Sequence, residues 1–166
     1  GLALSVTDID LYRNPYKELL LPVNFITGVP YINFKSDAKW DNCAEDWPKI
    51  LAQLNKHKDQ LSAIIIEPIV QGAGGMLIYS KDFLSRLRTW TKKNKIHLIA
   101  DEIMTGFGRT GLPFAFGHAD IEPDIVCLAK GLTSGYLPMS AVLTTNEIYE
   151  LFYDDFSKGK TFLHSH

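Results

Sequence analysis

The sequence is short of net charge. Its 17 lysines and arginines are nearly matched by 19 aspartates and glutamates, leaving −2. No basic excess points to nucleic acid, and no acidic block marks a disordered tail. The densest cations, Lys92, Lys93 and Lys95, fall at the end of a helical pattern, where positive charge complements the helix dipole. Cysteine is equally scarce. Cys43 and Cys127 lie far apart, the second inside a strand-like apolar run, so reduced thiols in a cytoplasmic protein are expected rather than a disulfide. No apolar run approaches the length that spans a bilayer, and the first residues carry no signal-peptide pattern. The chain also opens without an initiator methionine and stops at FLHSH without a terminating element, so a piece of a longer protein is expected. What is present is ordinary: 166 residues, 46% hydrophobic, enough for one domain with a sizeable core.

Periodicity divides the chain into elements. Residues 1 to 40 are turn-rich and read as loops with short strands. EDWPKILAQLNKHKDQL, from Glu45, places Trp47, Ile50, Leu51 and Leu54 at helical spacing, with Pro48 suited to a first turn. Ser62 to Ile66 is β-branched and reads as a buried strand. Lys81 to Lys93 is an amphipathic helix with a stripe of Phe83, Leu84, Leu87 and Trp90. His97 to Ala100, Ile125 to Leu128 and Ser140 to Thr145 read as further strands, and Asn146 as the cap of a helix running through Phe152. This order predicts an α/β fold with a mostly parallel sheet and helices packed on it.

Two of the apolar runs end on opposite charges: His97 to Ala100 on Asp101-Glu102, and Ile125 to Ala129 on Lys130. Ligands of open α/β sheets bind at the carboxyl ends of the strands. Lys130 is either a strand-end lysine reaching solvent or a buried amine made nucleophilic by its apolar surroundings. Asp101 is either a helix cap or partner of Arg109, or a carboxylate that salt-bridges a protonated pyridine nitrogen. No His or Cys stands at ligand spacing from the acid pair, so no metal is expected. The run QGAGG, from Gln71, lacks the third glycine of a dinucleotide fingerprint, since Leu77 stands there. It suits a tight turn or a close backbone approach instead, as do Gly106, Gly108 and Gly111 around Arg109. His97, His118, His164 and His166 show no pairing with a nucleophile, so a hydrolytic triad is poorly supported.

Together, EPIVQGAGG from Glu67, ADEIMTGFGRTG from Ala100 and PDIVCLAKG from Pro123 resemble the class III aminotransferases, pyridoxal-5′-phosphate enzymes of fold type I. The likeness runs from Ser62 to His166 and reaches back to the SVTD at Ser5. It implies a three-layer fold: a mostly parallel sheet with helices on both faces. Residues 1–166 would form part of the large cofactor-binding domain, with the N-terminal segment and the C-terminal small domain lying outside them. QGAGG, GFGRTG, LAKGLTSGYLPMSAVLTT and FLHSH are most similar to the biotin-synthesis branch, which moves an amino group from S-adenosylmethionine to 8-amino-7-oxononanoate. Enzymes acting on ornithine, 4-aminobutyrate or other ω-amino acids and diamines share the first two motifs and remain the alternative. Further from these stand a nucleotide-binding α/β module without chemistry and an interaction domain without a cofactor.

The resemblance carries roles only onto matching positions. Lys130 matches the lysine that bonds to the cofactor and then moves the substrate proton. Asp101 matches the partner of the pyridine nitrogen, and Ile103 the aliphatic residue on one ring face. Glu67 and Arg109 match substrate-pocket residues. Ser165 and His166 match a segment reaching the neighbouring subunit's site, near substrate and cofactor phosphate, which implies a homodimer with shared sites. Met104 stands where many relatives carry a glutamine; a thioether cannot donate that hydrogen bond, and the biotin branch is apolar there too. The phosphate cup and the substrate-carboxylate arginine would lie outside these residues, so the segment alone is expected to be inactive.

Overall fold

Helix α4 (Lys81–Asn94) is the element on which the core is built. Ser80 caps it, its Oγ accepting from the Phe83 N–H at 3.3 Å, and Lys95 ends it in the left-handed conformation at φ 57°. The predicted stripe holds: Phe83, Leu84, Leu87 and Trp90 are all buried. They pack with Ile50 and Leu54 of α3 (Trp47–His57) and with Leu98 in one cluster. Burying each such side chain contributes about 1.5–3 kcal/mol relative to exposure.

The computed structural model describes residues 2–34 and 36–161. Short elements come first: α1 (Leu2–Ser5), α2 (Asp10–Arg13), a 3-10 turn at Asn14–Leu19, and β1 (Tyr31–Ile32). The opening residues are thus helical turns where short strands and loops were expected; Ser5 Oγ helps hold them by accepting from the Leu21 N–H at 2.9 Å. After α3 come β2 (Ala63–Ile66), β3 (Val70–Gln71) and β4 (Leu77–Tyr79), then α4. Next are β5 (His97–Asp101), β6 (Ile125–Leu128), β7 (Ala141–Thr144) and α5 (Asn146–Glu150). The α5 cap is Thr145, whose Oγ1 accepts from the Ile148 N–H, rather than Asn146, and the helix stops short of Phe152.

Two sheets form. The larger has the order β2-β5-β6-β7, with β2, β5 and β6 parallel and β7 antiparallel. The smaller is antiparallel, β1-β4-β3, and the glycine run makes its β3–β4 turn. In the larger sheet, register puts Ile64, Ile66, Leu98 and Ala100 on the face toward α4. Ile65, Ile99, Asp101, Cys127 and Val142 share the opposite face. Ile65 and Val142 are exposed there, so β2 is less buried than its β-branched run predicts. Both cysteines are free thiols. Among the described residues no helix is long and apolar enough to cross a membrane.

At the amino end of the strands, Asp124 ties helix to sheet. It takes two hydrogen bonds from Arg88, at 2.7 and 2.8 Å, and one from the Leu98 N–H at 2.7 Å. Partial burial opposes its charge, but these donors outweigh it and hold the carboxyl below the usual carboxylate range.

Candidate active site

The parallel register decides where the charges fall. Ile66 pairs with Ala100, and Asp101 with Cys127, so β2, β5 and β6 end together along one edge. Glu67 follows β2, Asp101 closes β5, and Lys130 stands two residues beyond β6. Asp101 and Lys130 are each close enough to act electrostatically on Glu67. Half-burial raises the Glu67 carboxyl above its ordinary value. The Gly72 N–H opposes this, Asp101 adds to it, and Lys130 opposes it.

Glu67 is held from two directions. Its Oε2 accepts from the Gly72 N–H at 2.9 Å, and its carbonyl accepts from the fully buried Tyr79 hydroxyl at 2.7 Å. Gly72 also leaves room for Met104: a Cβ there would meet the Met104 sulfur and require that side chain to move. Met104, following the acid pair of β5, therefore closes over the turn that positions Glu67. Next along the chain, Ile69 sits at φ 67°, where a β-branched residue is a rare and strained occupant.

Asp101 neither caps a helix nor pairs with Arg109. Its Oδ1 accepts from the Ile103 N–H at 3.1 Å, two residues on. Among the described residues no group donates to its Oδ2, and the side chain is only part-buried. Glu102 points the other way and is fully buried. It accepts from Thr105 Oγ1 at 2.5 Å and from the Phe116 N–H at 2.9 Å, pinning the 105–116 connection at both ends. Its own N–H donates to the Cys127 carbonyl at 3.0 Å, fixing β5 to β6 where both end. The sequence shows Glu102 only as half of an acid pair; its role as anchor depends on Phe116 returning fourteen residues later, and no local pattern announces that.

Lys130 is exposed rather than buried, because β6 ends at Leu128 and the chain turns outward at Ala129. It lines an open cavity of about 650 Å³ with Thr133, Leu137, Pro138 and Met139. Arg109 is exposed on its loop and makes no ion pair among the described residues. Ser165 and His166 lie outside the described residues. Glu67, Asp101 and Lys130 are thus brought to one sheet edge, Ile103 and Met104 follow the Asp101-Glu102 pair, and Arg109 stands on the adjoining loop.

A family model described as aminotransferase class-III matches residues 1–164. The chain belongs to the class III aminotransferases. It is 46% identical over 164 residues to adenosylmethionine-8-amino-7-oxononanoate aminotransferase of Helicobacter pylori, which covers 99% of this chain and 36% of that protein. Among solved structures, the adenosylmethionine-8-amino-7-oxononanoate aminotransferase of Methanocaldococcus jannaschii matches with a TM-score of 0.81 at 32% identity, covering 99% of this chain and 36% of that one. An (S)-enantioselective omega-transaminase from Thermomicrobium roseum matches with a TM-score of 0.75 at 31% identity, again over 99% and 36%. This class III chain therefore spans 36% of the length of these relatives, and its α/β architecture is the expected partial fold type I domain.

Proposed function

We propose that the protein carrying this chain transfers the amino group of S-adenosylmethionine to 8-amino-7-oxononanoate, giving 7,8-diaminononanoate for biotin synthesis. It would act with pyridoxal 5′-phosphate, as a cytoplasmic homodimer, with residues 1–166 forming part of its large domain. The observation that carries this reading is one amine and two carboxylates at the ends of three adjacent parallel strands. The names of the relatives at 46% and 39% identity support the choice of substrates.

The residues present fit the cofactor. Lys130 offers an accessible primary amine for a carbonyl carbon, and Asp101 offers a carboxylate oxygen with no donor from the described residues for a ring nitrogen. Bound there, pyridoxal phosphate supplies an electron-withdrawing ring and a carbonyl carbon that an amine can attack. Asp101 would hold a proton at the ring nitrogen by lowering the energy of its cationic form. Lys130 Nζ would take the proton from the substrate's α-carbon and return one when the acceptor is aminated, in a ping-pong sequence. Glu67, whose carboxyl is raised by burial, and Arg109 would contribute to the substrate pocket. Ile103 would pack on the ring, and Ser165 and His166 would reach the neighbouring subunit's site.

The match to an omega-transaminase favours a second reading, transfer from an ω-amino donor. Assaying the full-length protein with S-adenosylmethionine, ornithine and 4-aminobutyrate separates the two: turnover with S-adenosylmethionine alone is the expected result, and turnover only with the others sinks the biotin reading. Lys130→Ala should lose the borohydride-reducible absorbance band and at least on the order of 10²–10⁴ in kcat from lost proton transfer. A band that survives this substitution removes Lys130 from its role.

A further inference from the structure

The turn that carries Lys130 is held by a residue from a different loop. Gly131, next to Lys130, has no space for a side chain: a Cβ there would lie 2.7 Å from Phe107 Cβ, 2.8 Å from its Cδ2 and 2.9 Å from its Cγ. Phe107 comes from the β5–β6 connection, two residues before Arg109. It is held at φ 59°, in the left-handed region that a bulky side chain rarely occupies, although glycines stand on both sides of it. Burial does not account for this choice, since Phe107 is 43% exposed.

Phe107 is itself braced. Its ring meets Phe114 edge-on at 6.0 Å between centroids, and Phe114 stacks on Phe116 at 5.5 Å. The Phe116 N–H donates to the buried Glu102. A continuous series of contacts thus runs from the core through three aromatic rings to the backbone beside Lys130. Beyond it the turn is closed by the Leu132 N–H donating to the Ala129 carbonyl at 2.7 Å.

We propose that Phe107 is a positioning residue for Lys130: its side chain, wedged against Gly131, sets the direction in which the turn presents Nζ and couples the Arg109 loop to that amine. The contact itself is independent of the reaction; its consequence for turnover rests on the aminotransferase reading. The contacts with Gly131 and Phe114 hold Phe107 in a backbone conformation that glycine would adopt more readily.

The test uses the full-length protein with Phe107→Gly, which removes the wedge and relieves the backbone. Its thermal midpoint should equal or exceed that of wild type. Its kcat should fall by on the order of 10- to 100-fold, the scale expected for a misplaced reacting group, with KM for the donor little changed. The pH midpoint of the bound cofactor's absorbance should shift, and Phe107→Leu, which keeps a γ-carbon against Gly131, should restore part of both. A second measurement needs neither turnover nor cofactor. In cofactor-free protein, the acylation rate of Lys130 relative to Lys92 and Lys93, mapped by peptide mass spectrometry, should change in Phe107→Gly and return toward wild type in Phe107→Leu. Gly131→Ala, whose new Cβ displaces the ring, should change it with Phe107 intact, and carries the test if Phe107→Gly does not fold. Wild-type acylation ratios in the folded variants overturn the proposal, including where stability alone has dropped. A wild-type protein that forms no cofactor band defeats the aminotransferase reading, while the acylation comparison still decides the role of Phe107.

Discussion

The stretch from Leu98 to Asp124 and the stretch from Tyr136 to Phe156 are built on opposite terms. In the first, polar groups are tied inward: Glu102 and Thr105 are fully buried and paired, and Asp124 gathers three donors. In the second, apolar groups face outward. Tyr136 is 90% exposed and Phe156 74%, and Leu137, Val142, Leu151 and Tyr153 are exposed with them. Apolar exposure of this extent is unusual for a self-contained domain surface. The acid side of the candidate site is therefore shaped within the described residues, whereas the segment that follows the amine of Lys130 is only half enclosed by them. Phe107 joins the two, reaching from the anchored loop to Gly131.

If that contrast is right, the largest loss in stability comes from the buried anchor. Glu102→Ala leaves the Thr105 hydroxyl and the Phe116 N–H without an acceptor in a dry site, at about 1–3 kcal/mol each. The expected cost is about 4 kcal/mol in denaturant unfolding, with Glu102→Gln intermediate because its carbonyl still accepts one bond. Tyr136→Ala, in the open stretch, should stay within about 0.5 kcal/mol. Similar losses at the two positions would erase the distinction.

The same contrast explains what could be read from the residues beforehand. The α4 stripe was legible because Phe83, Leu84, Leu87 and Trp90 recur at helical spacing and every one of them faces the core. Asp101 and Lys130 were legible as neighbours because each ends an apolar run, and parallel pairing brings such ends to one edge; Glu67 entered only through the family resemblance. The β3–β4 hairpin was not. Its strands are two and three residues long, too short for a period, and Leu77 and Ile78 are exposed. The antiparallel direction of β7 was hidden too, because alternation does not encode orientation. For Lys130 the residues left burial and exposure both open, and the turn at Ala129 that exposes it lies beside Gly131, which meets Phe107 from a loop twenty-four residues before that glycine.

A smaller effect tests the first stretch by pH. The Asp124 carboxyl lies below its ordinary value near 4 when folded. Its contribution is then complete above the unfolded value and is lost as pH falls through the folded one. Wild-type stability should decline on acidification below about pH 5 more steeply than that of Asp124→Asn. At neutral pH the variant should be about 2 kcal/mol less stable, the scale of hydrogen bonds to a charged group. The two should converge in acid, where wild-type Asp124 is also neutral. Parallel pH curves would show that Arg88 and the Leu98 N–H do not hold the carboxylate as described.

The smallest effect compares like with like, one helix cap in each region. Ser80 is buried, accepts from the Phe83 N–H and donates to the Trp40 carbonyl, both at 3.3 Å. Thr145 is exposed and accepts from the Ile148 N–H at 3.4 Å. Ser80→Ala removes a buried acceptor that water cannot replace and takes a donor from the part-buried Trp40 carbonyl, so about 1–2 kcal/mol is expected. Thr145→Ala exposes its N–H to solvent that takes over the bond, leaving a cost of about 0.5 kcal/mol. Global unfolding should register the first, and faster hydrogen exchange at the Ile148 amide the second. If Thr145→Ala costs as much as Ser80→Ala, α5 is packed as firmly as α4, and the open character assigned to the 136–156 stretch does not hold.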